Sequence, residues 1–107
     1  MRQIKVSASA KEDFKLIRSY VVRKFSAADW NHISNAWQIN LNKIAKNPEL
    51  GSGIPELEDT GYNAFKKYHY KNVYVVYSFS ATELEIHMFI PSMRDFRAHL
   101  LKRLLNQ

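Results

Sequence analysis

Lysine, histidine, tyrosine and arginine recur at short spacing through the last third of this chain, and together these side chains can handle phosphate. Lys67 and His69 lie two residues apart and so share a face of one extended segment. Tyr74 and His87 fall on the next two segments, and Arg94, Arg97, Lys102 and Arg103 follow. Lysine and arginine hold phosphate and stabilise charge that builds on it in a cleavage transition state. Tyrosine and histidine stack on unpaired bases or move a proton. Each residue also has a plainer use. Tyrosines on an antiparallel sheet commonly pack across strands, and a histidine on a polar face is commonly solvated. Arg97, Lys102 and Arg103 suit the wet side of an amphipathic helix, and Asp95 suits a helix cap.

Other chemistries find no support. There is no glycine-rich phosphate loop and no Gly-x-Ser-x-Gly elbow, and His32, His69, His87 and His99 are scattered without metal-ligand spacing. The absence of cysteine removes disulfides, thiolate metal sites and thiol nucleophiles. Neither a metal nor a cofactor is expected.

The elements that must position these residues are readable from periodicity. Ile4 and Val6 alternate with polar neighbours, which predicts a short strand over Arg2–Val6. Ser9 and Glu12 have capping-box spacing, and Phe14, Ile17 and Val21 follow on one helical face. Arg23 and Lys24 sit where cations suit a helix C-terminus. Ser26 and Asp29 signal a second helix with a stripe of Trp30, Ile33, Trp37, Leu41 and Ile44, which should stop before Pro48. Residues 47–61 hold all three glycines and two of the three prolines, and read as an irregular connection.

Beyond that connection the period becomes two. Val73, Val75, Tyr77 and Phe79 alternate with Tyr74, Val76 and Ser78, and Leu84, Ile86, Met88 and Ile90 alternate with Glu85, His87 and Phe89. Lys71-Asn72 and Ser80–Glu83 are short enough for hairpin turns. Ser92–Asp95 should cap a last helix whose inner face carries Met93, Phe96, Leu100 and Leu104. The predicted fold is α+β: an N-terminal strand, an antiparallel helical hairpin packed on a twisted antiparallel sheet in the order β-α-α-β-β-β, and a short C-terminal helix. Residues 1–107 suffice for one domain with a single core.

The formal net charge is +6, which favours an anionic partner. The charge is uneven: residues 1–46 carry nine Lys/Arg against three Asp/Glu, while residues 47–61 carry only acids. The N-terminus is charged where a signal peptide needs an apolar core, and no apolar run reaches membrane-spanning length, so a cytoplasmic location is expected.

The order of elements, the Pro48-Glu-Leu-Gly51 connection, the Asn72-Val-Tyr-Val-Val-Tyr77 strand and the Met93-Arg-Asp-Phe-Arg-Ala-His-Leu100 ending resemble the RelE/ParE superfamily of bacterial type II toxins. The resemblance spans nearly the whole chain and implies a growth-inhibiting toxin, of the kind that stabilises plasmids, neutralised by a cognate acidic and partly disordered antitoxin. RelE-type members cut messenger RNA at the ribosome without metal, whereas ParE-type members poison DNA gyrase. On the RelE pattern Lys67 matches a lysine of the first meander strand and Arg94 the arginine after the last strand. Tyr74 stands where that pattern has a middle-strand arginine, and His99 is the residue able to replace its late tyrosine. The ending MRDFRAHL is closer to the ParE style. The resemblance therefore favours a ParE-like inhibitor of DNA gyrase that is not an enzyme. The alternatives are a ribosome-dependent endoribonuclease and a degenerate, non-toxic binding module. In each case Lys67, His69, Tyr74, His87, Arg94, Arg97, Lys102 and Arg103 are the residues expected to meet target or antitoxin.

Overall fold

The computed structural model describes residues 1–105. Strand β1 (Gln3–Val6) leads into helices α1 (Ala8–Lys24) and α2 (Ala27–Lys46), then β2 (Ser52–Gly53), β3 (Lys66–Tyr70), β4 (Val73–Phe79), β5 (Glu83–Pro91) and helix α3 (Phe96–Leu105). The strands form one sheet in the order β1-β5-β4-β3-β2. The meander β3-β4-β5 is antiparallel as its short turns require, while β1 lies parallel to β5 and makes the sheet mixed. Lys71 takes a φ of 49° in the two-residue β3–β4 turn, the left-handed backbone that tight hairpins demand.

Caps explain the helical hairpin. The first helix is capped by Ser7, not Ser9: its Oγ accepts from the Ala10 N–H at 3.1 Å. Ser7 still belongs to the sheet edge, because its N–H donates to the Ile86 carbonyl at 3.0 Å, so the helix must start as soon as the strand ends. Glu12 is thereby freed to pair with Lys15. Ser26 caps α2 as predicted, accepting from the Asp29 N–H at 3.0 Å, and α2 ends at Lys46, ahead of Pro48.

The hairpin covers one face of the sheet. Trp37, Leu41 and Ile44 of α2 pack with Val75, Tyr77, Leu84, Ile86 and Phe89, and Phe14 of α1 bridges Trp30 and Phe89 at ring separations of 4.9 and 5.0 Å. A second apolar cluster fills the opposite face, where Ile54, Leu57, Leu100 and Leu104 cover Val76, Met88 and Ile90. The expected single core is thus divided by the sheet. Full burial of each such side chain contributes about 1.5–3 kcal/mol.

One correction follows from this division. A bulge between β4 and β5 places Tyr77 opposite Ile86 and Val76 opposite Met88, leaving His87 without an opposite residue. The bulge reverses the phase of β5. Leu84 and Ile86 face the hairpin, but beyond His87 it is Phe89 that does so, while Met88 and Ile90 join the second cluster. The predicted Leu84/Ile86/Met88/Ile90 face therefore does not exist as one face.

The connection after α2 is ordered. It makes two short 3-10 turns, Pro48–Leu50 and Pro55–Leu57, around β2, which pairs with β3. Buried Tyr77 pins it: the phenol donates to the Pro48 carbonyl at 2.5 Å and accepts from the Gly51 N–H at 3.0 Å. Burial pushes the Tyr77 hydroxyl up to about 12. Gly51 is needed for this approach, since a Cβ there would sit 2.8 Å from the Lys67 carbonyl oxygen.

At the C-terminus Asp95 alone caps α3, its Oδ1 accepting from the Ala98 N–H at 3.1 Å. Ser92 is not part of that cap, and Met93 lies outside the helix, 77% exposed instead of on its inner face. Phe96, Leu100 and Leu104 do face the second cluster.

Candidate functional site

Three of the residues singled out in the sequence meet on the sheet face opposite the hairpin. The β3–β4 register sets His69 directly across from Tyr74, with Lys67 two residues along the same face. The His69 and Tyr74 rings lie 4.4 Å apart, and Phe96 at the start of α3 closes on Tyr74 at 5.0 Å. The Lys67 ammonium sits 5.0 Å from the Phe96 ring and 5.8 Å from Tyr74. His69 Nε2 shares a hydrogen bond of 2.8 Å with Ser92 Oγ. The result is one ammonium held against two rings, with the His69 ring packed on Tyr74 beside it. Such a patch can take an anion or stack against a planar group, and it contains no guanidinium.

The other predicted residues lie elsewhere. His87 stacks on Phe65 at 4.2 Å and bonds Ser78 Oγ through Nε2 at 2.7 Å, and burial lowers its pKa below the ordinary imidazole value. Arg103 is not a free cation: its guanidinium meets the Asp13 carboxylate at 2.7 Å, and Asp13 also accepts from the Phe89 N–H at 3.1 Å. One carboxylate thus ties α1 to both β5 and α3. His99 is half-buried beside that pair, with Nε2 sealed from solvent and unpartnered, and desolvation lowers its pKa as well. Arg94, Arg97 and Lys102 are exposed.

Arg94 and His99 instead line a groove that sequence reasoning missed. It encloses about 330 Å³ between the α1 flank, the β3–β4 turn and the segment leading into α3. Leu16, Tyr20, Phe25, Trp37, Phe89 and Met93 make its apolar wall, with Asp13, Lys71, Arg94 and His99 at polar points. Leu16 and Phe25 remain 66% and 65% exposed, so a contiguous apolar surface stands open to solvent. The available signal was the pair Leu16 and Tyr20, four residues apart and off the Phe14/Ile17/Val21 stripe. Its partner Met93 was hidden by its assignment to the inner face of α3.

Among the described residues, no group of three or more His, Asp or Glu side chains could hold a metal ion, and no helix is long and apolar enough to cross a membrane.

Comparison with known proteins bears on this geometry. Residues 4–95 match the family described as the ParE toxin of the type II toxin–antitoxin system parDE. No match to a curated protein sequence was found. Among solved structures, the chain is similar to one from a chromosomal ParDE toxin–antitoxin system of Pseudomonas aeruginosa, with a TM-score of 0.66 at 12% identity over 85% of this chain and 96% of that one. A conserved hypothetical protein of Helicobacter pylori aligns with a TM-score of 0.55 at 18% identity, covering 90% of this chain and all of the other. YafQ of Escherichia coli, solved alone and in complex with DinJ, aligns with a TM-score of 0.53. Solved alone, it is 16% identical over 94% of this chain and 98% of its own. At these identities the likeness is one of fold.

Proposed function

The chain belongs to the ParE toxin family of type II toxin–antitoxin systems, and from that premise we propose that it inhibits bacterial growth by binding DNA gyrase, without cutting RNA. The observation that carries this reading is the occupant of the β3–β4 face. Where an RNA-cutting centre calls for a guanidinium beside the lysine, Tyr74 is clamped between His69 and Phe96. Lys67 is the sole cation in that cluster, and Arg94 belongs to the groove. His87 and His99, with lowered pKa values, are neutral near pH 7 and add no positive charge for a phosphorane-like transition state. Removing one such charge-stabilising group commonly costs two to three orders of magnitude in rate, roughly 2.7–4 kcal/mol.

The apolar groove supports a second part of the reading, a cognate antitoxin that folds onto the toxin. Exposed Leu16, Tyr20, Phe25 and Met93 offer apolar anchors, and Lys71 and Arg94 at the rim suit an acidic amphipathic segment. Ordering such a segment costs free energy, which these anchors offset only if the partner presents apolar side chains in register.

Induced expression in bacteria tests the target. Linearised DNA and a DNA-damage response are expected, while rapid loss of translation with codon-specific messenger cuts would replace this reading by the nuclease. Arg94→Ala with Arg97→Ala should abolish growth arrest, since both side chains are exposed beside the groove and on α3. Full toxicity of that variant without antitoxin would show that these arginines do not contact the target. No arrest from the wild-type chain would point to a non-toxic binding module.

A further inference from the structure

The excess of positive charge in the first 46 residues has no part in the groove or the sheet-face cluster. Its largest share lies on α1. Lys11, Lys15 and Arg18 follow one another at i, i+4 and i+7, all exposed, which aligns them on one ridge. Val22 continues the ridge, and Lys15, Arg18, Ser19, Val22 and Arg23 border one shallow surface depression. At about 100° per residue, this ridge lies on the opposite flank of α1 from Leu16 and Tyr20, so it faces away from the groove.

Little opposes this charge. Glu12 pairs with Lys15 at 3.3 Å, and Asp13 is turned away toward Arg103 and Phe89. Lys11, Arg18, Arg23 and Lys24 enter no ion pair among the described residues. These cations are carried on a helix whose other face is packed in the core, so binding to them would not require the backbone to order.

We propose that the outer ridge of α1 docks this chain on the phosphate backbone of duplex DNA, without reading bases. Lys11 to Arg18 spans about 10 Å at the helical rise, a reach over which three long cationic side chains can meet roughly two or three neighbouring phosphates of one strand. A straight, rigid row of cations suits a regular row of charges. Single-stranded nucleic acid is held chiefly by aromatic stacking, and the ridge carries no ring, since Tyr20 and Phe25 lie on the groove flank. A membrane surface would take large apolar side chains next to the cations, and only Val22 stands there, 39% exposed. This surface does not depend on which target the toxin poisons.

The test is fluorescence anisotropy with the full chain and a labelled mixed-sequence duplex, titrated at several salt concentrations. Wild type should bind with an affinity that falls linearly in log–log form. Lys11→Gln, Lys15→Gln and Arg18→Gln combined should lower that slope by about 2.7, or 0.9 for each phosphate no longer neutralised, and weaken binding by roughly 500-fold near 0.1 M salt. Glutamine keeps helix propensity, and far-UV circular dichroism verifies the fold. The charge-matched control Lys5→Gln, Lys46→Gln and Lys66→Gln should keep most of the affinity. Equal weakening in the control would reduce the effect to net charge and overturn the proposal. So would salt-insensitive or absent duplex binding by wild type, tighter binding to single-stranded RNA, or preferential capture by anionic vesicles.

Discussion

Replacing Tyr77 by phenylalanine isolates one oxygen whose structural consequences can be counted. The side chain is fully buried, and phenylalanine leaves its ring packing intact. What disappears is the donor to the Pro48 carbonyl and the acceptor for the Gly51 N–H. Each buried polar group left unpaired costs about 1–3 kcal/mol. The Pro48 hydrogen bond is fully enclosed and the Gly51 one partly so, which puts the total near 3 kcal/mol, a large share of the roughly 5–15 kcal/mol that stabilises a domain. The melting temperature should fall by about 15 °C. The phenol also predicts a pH signature. Its pKa is raised from 10.0 to about 12 in the folded chain. The unfolded chain therefore loses this proton first as pH rises, and the stabilisation is complete below pH 10 and lost on approach to 12. That loss is about 1.4 kcal/mol per pH unit, so the advantage of wild type over Tyr77→Phe should shrink by that amount by pH 11 and nearly vanish one unit higher. Urea titrations followed by the fluorescence of the core residues Trp30 and Trp37 give both numbers. A variant within about 0.5 kcal/mol of wild type at pH 7, or a stability gap that does not narrow between pH 9 and 11, would refute this account of the pin.

Other perturbations probe the remaining interactions. Gly51→Ala should destabilise by about 2 kcal/mol, because the new Cβ meets the Lys67 carbonyl oxygen at 2.8 Å; the same titrations measure it. Asp13→Asn removes the ion pair to a guanidinium that is 25% exposed and already has one unpartnered nitrogen, Nη2. It should cost about 3 kcal/mol and speed hydrogen exchange in α3 well before α2. Leu16→Glu with Phe25→Glu alters side chains that are two-thirds exposed, so stability should change by under about 0.5 kcal/mol. Affinity for the cognate antitoxin, read by calorimetry, should fall more than about tenfold.

Local order was well encoded in the sequence. The α2 stripe from Trp30 to Ile44, the Ser26 cap and the stop before Pro48 all occur as the periodicity predicts, because each depends on neighbours within a turn or two. Strands β3 to β5 and their turns were legible for the same reason. The misplacements have tertiary causes. Ser7 displaced Ser9 as the cap because β1 is held by β5 until its last residue. The phase of β5 past His87 escaped notice because a bulge leaves no mark in the residue pattern. The order within residues 47–61 was invisible because its anchor, Tyr77, comes from a strand 26 residues beyond Gly51.

The candidate site divides in the same way. The residue types alone determined that this chain carries neither cysteine chemistry nor a metal motif, that it is basic, and that Lys67, His69 and Tyr74 would share a sheet face, since alternation and a two-residue turn leave few other registers. Only the tertiary structure decided what those residues can do. Packing brought Phe96 against Tyr74 and Lys67. It tied up Arg103 in a partly buried ion pair, turned Arg94 and His99 toward an apolar groove, and left the α1 cations facing outward. Charge and hydrogen-bonding capacity belong to a side chain wherever it sits, so sequence reveals them. Whether they are spent inside the fold or offered to a partner depends on contacts between residues far apart in the chain, and those exist only once it has folded.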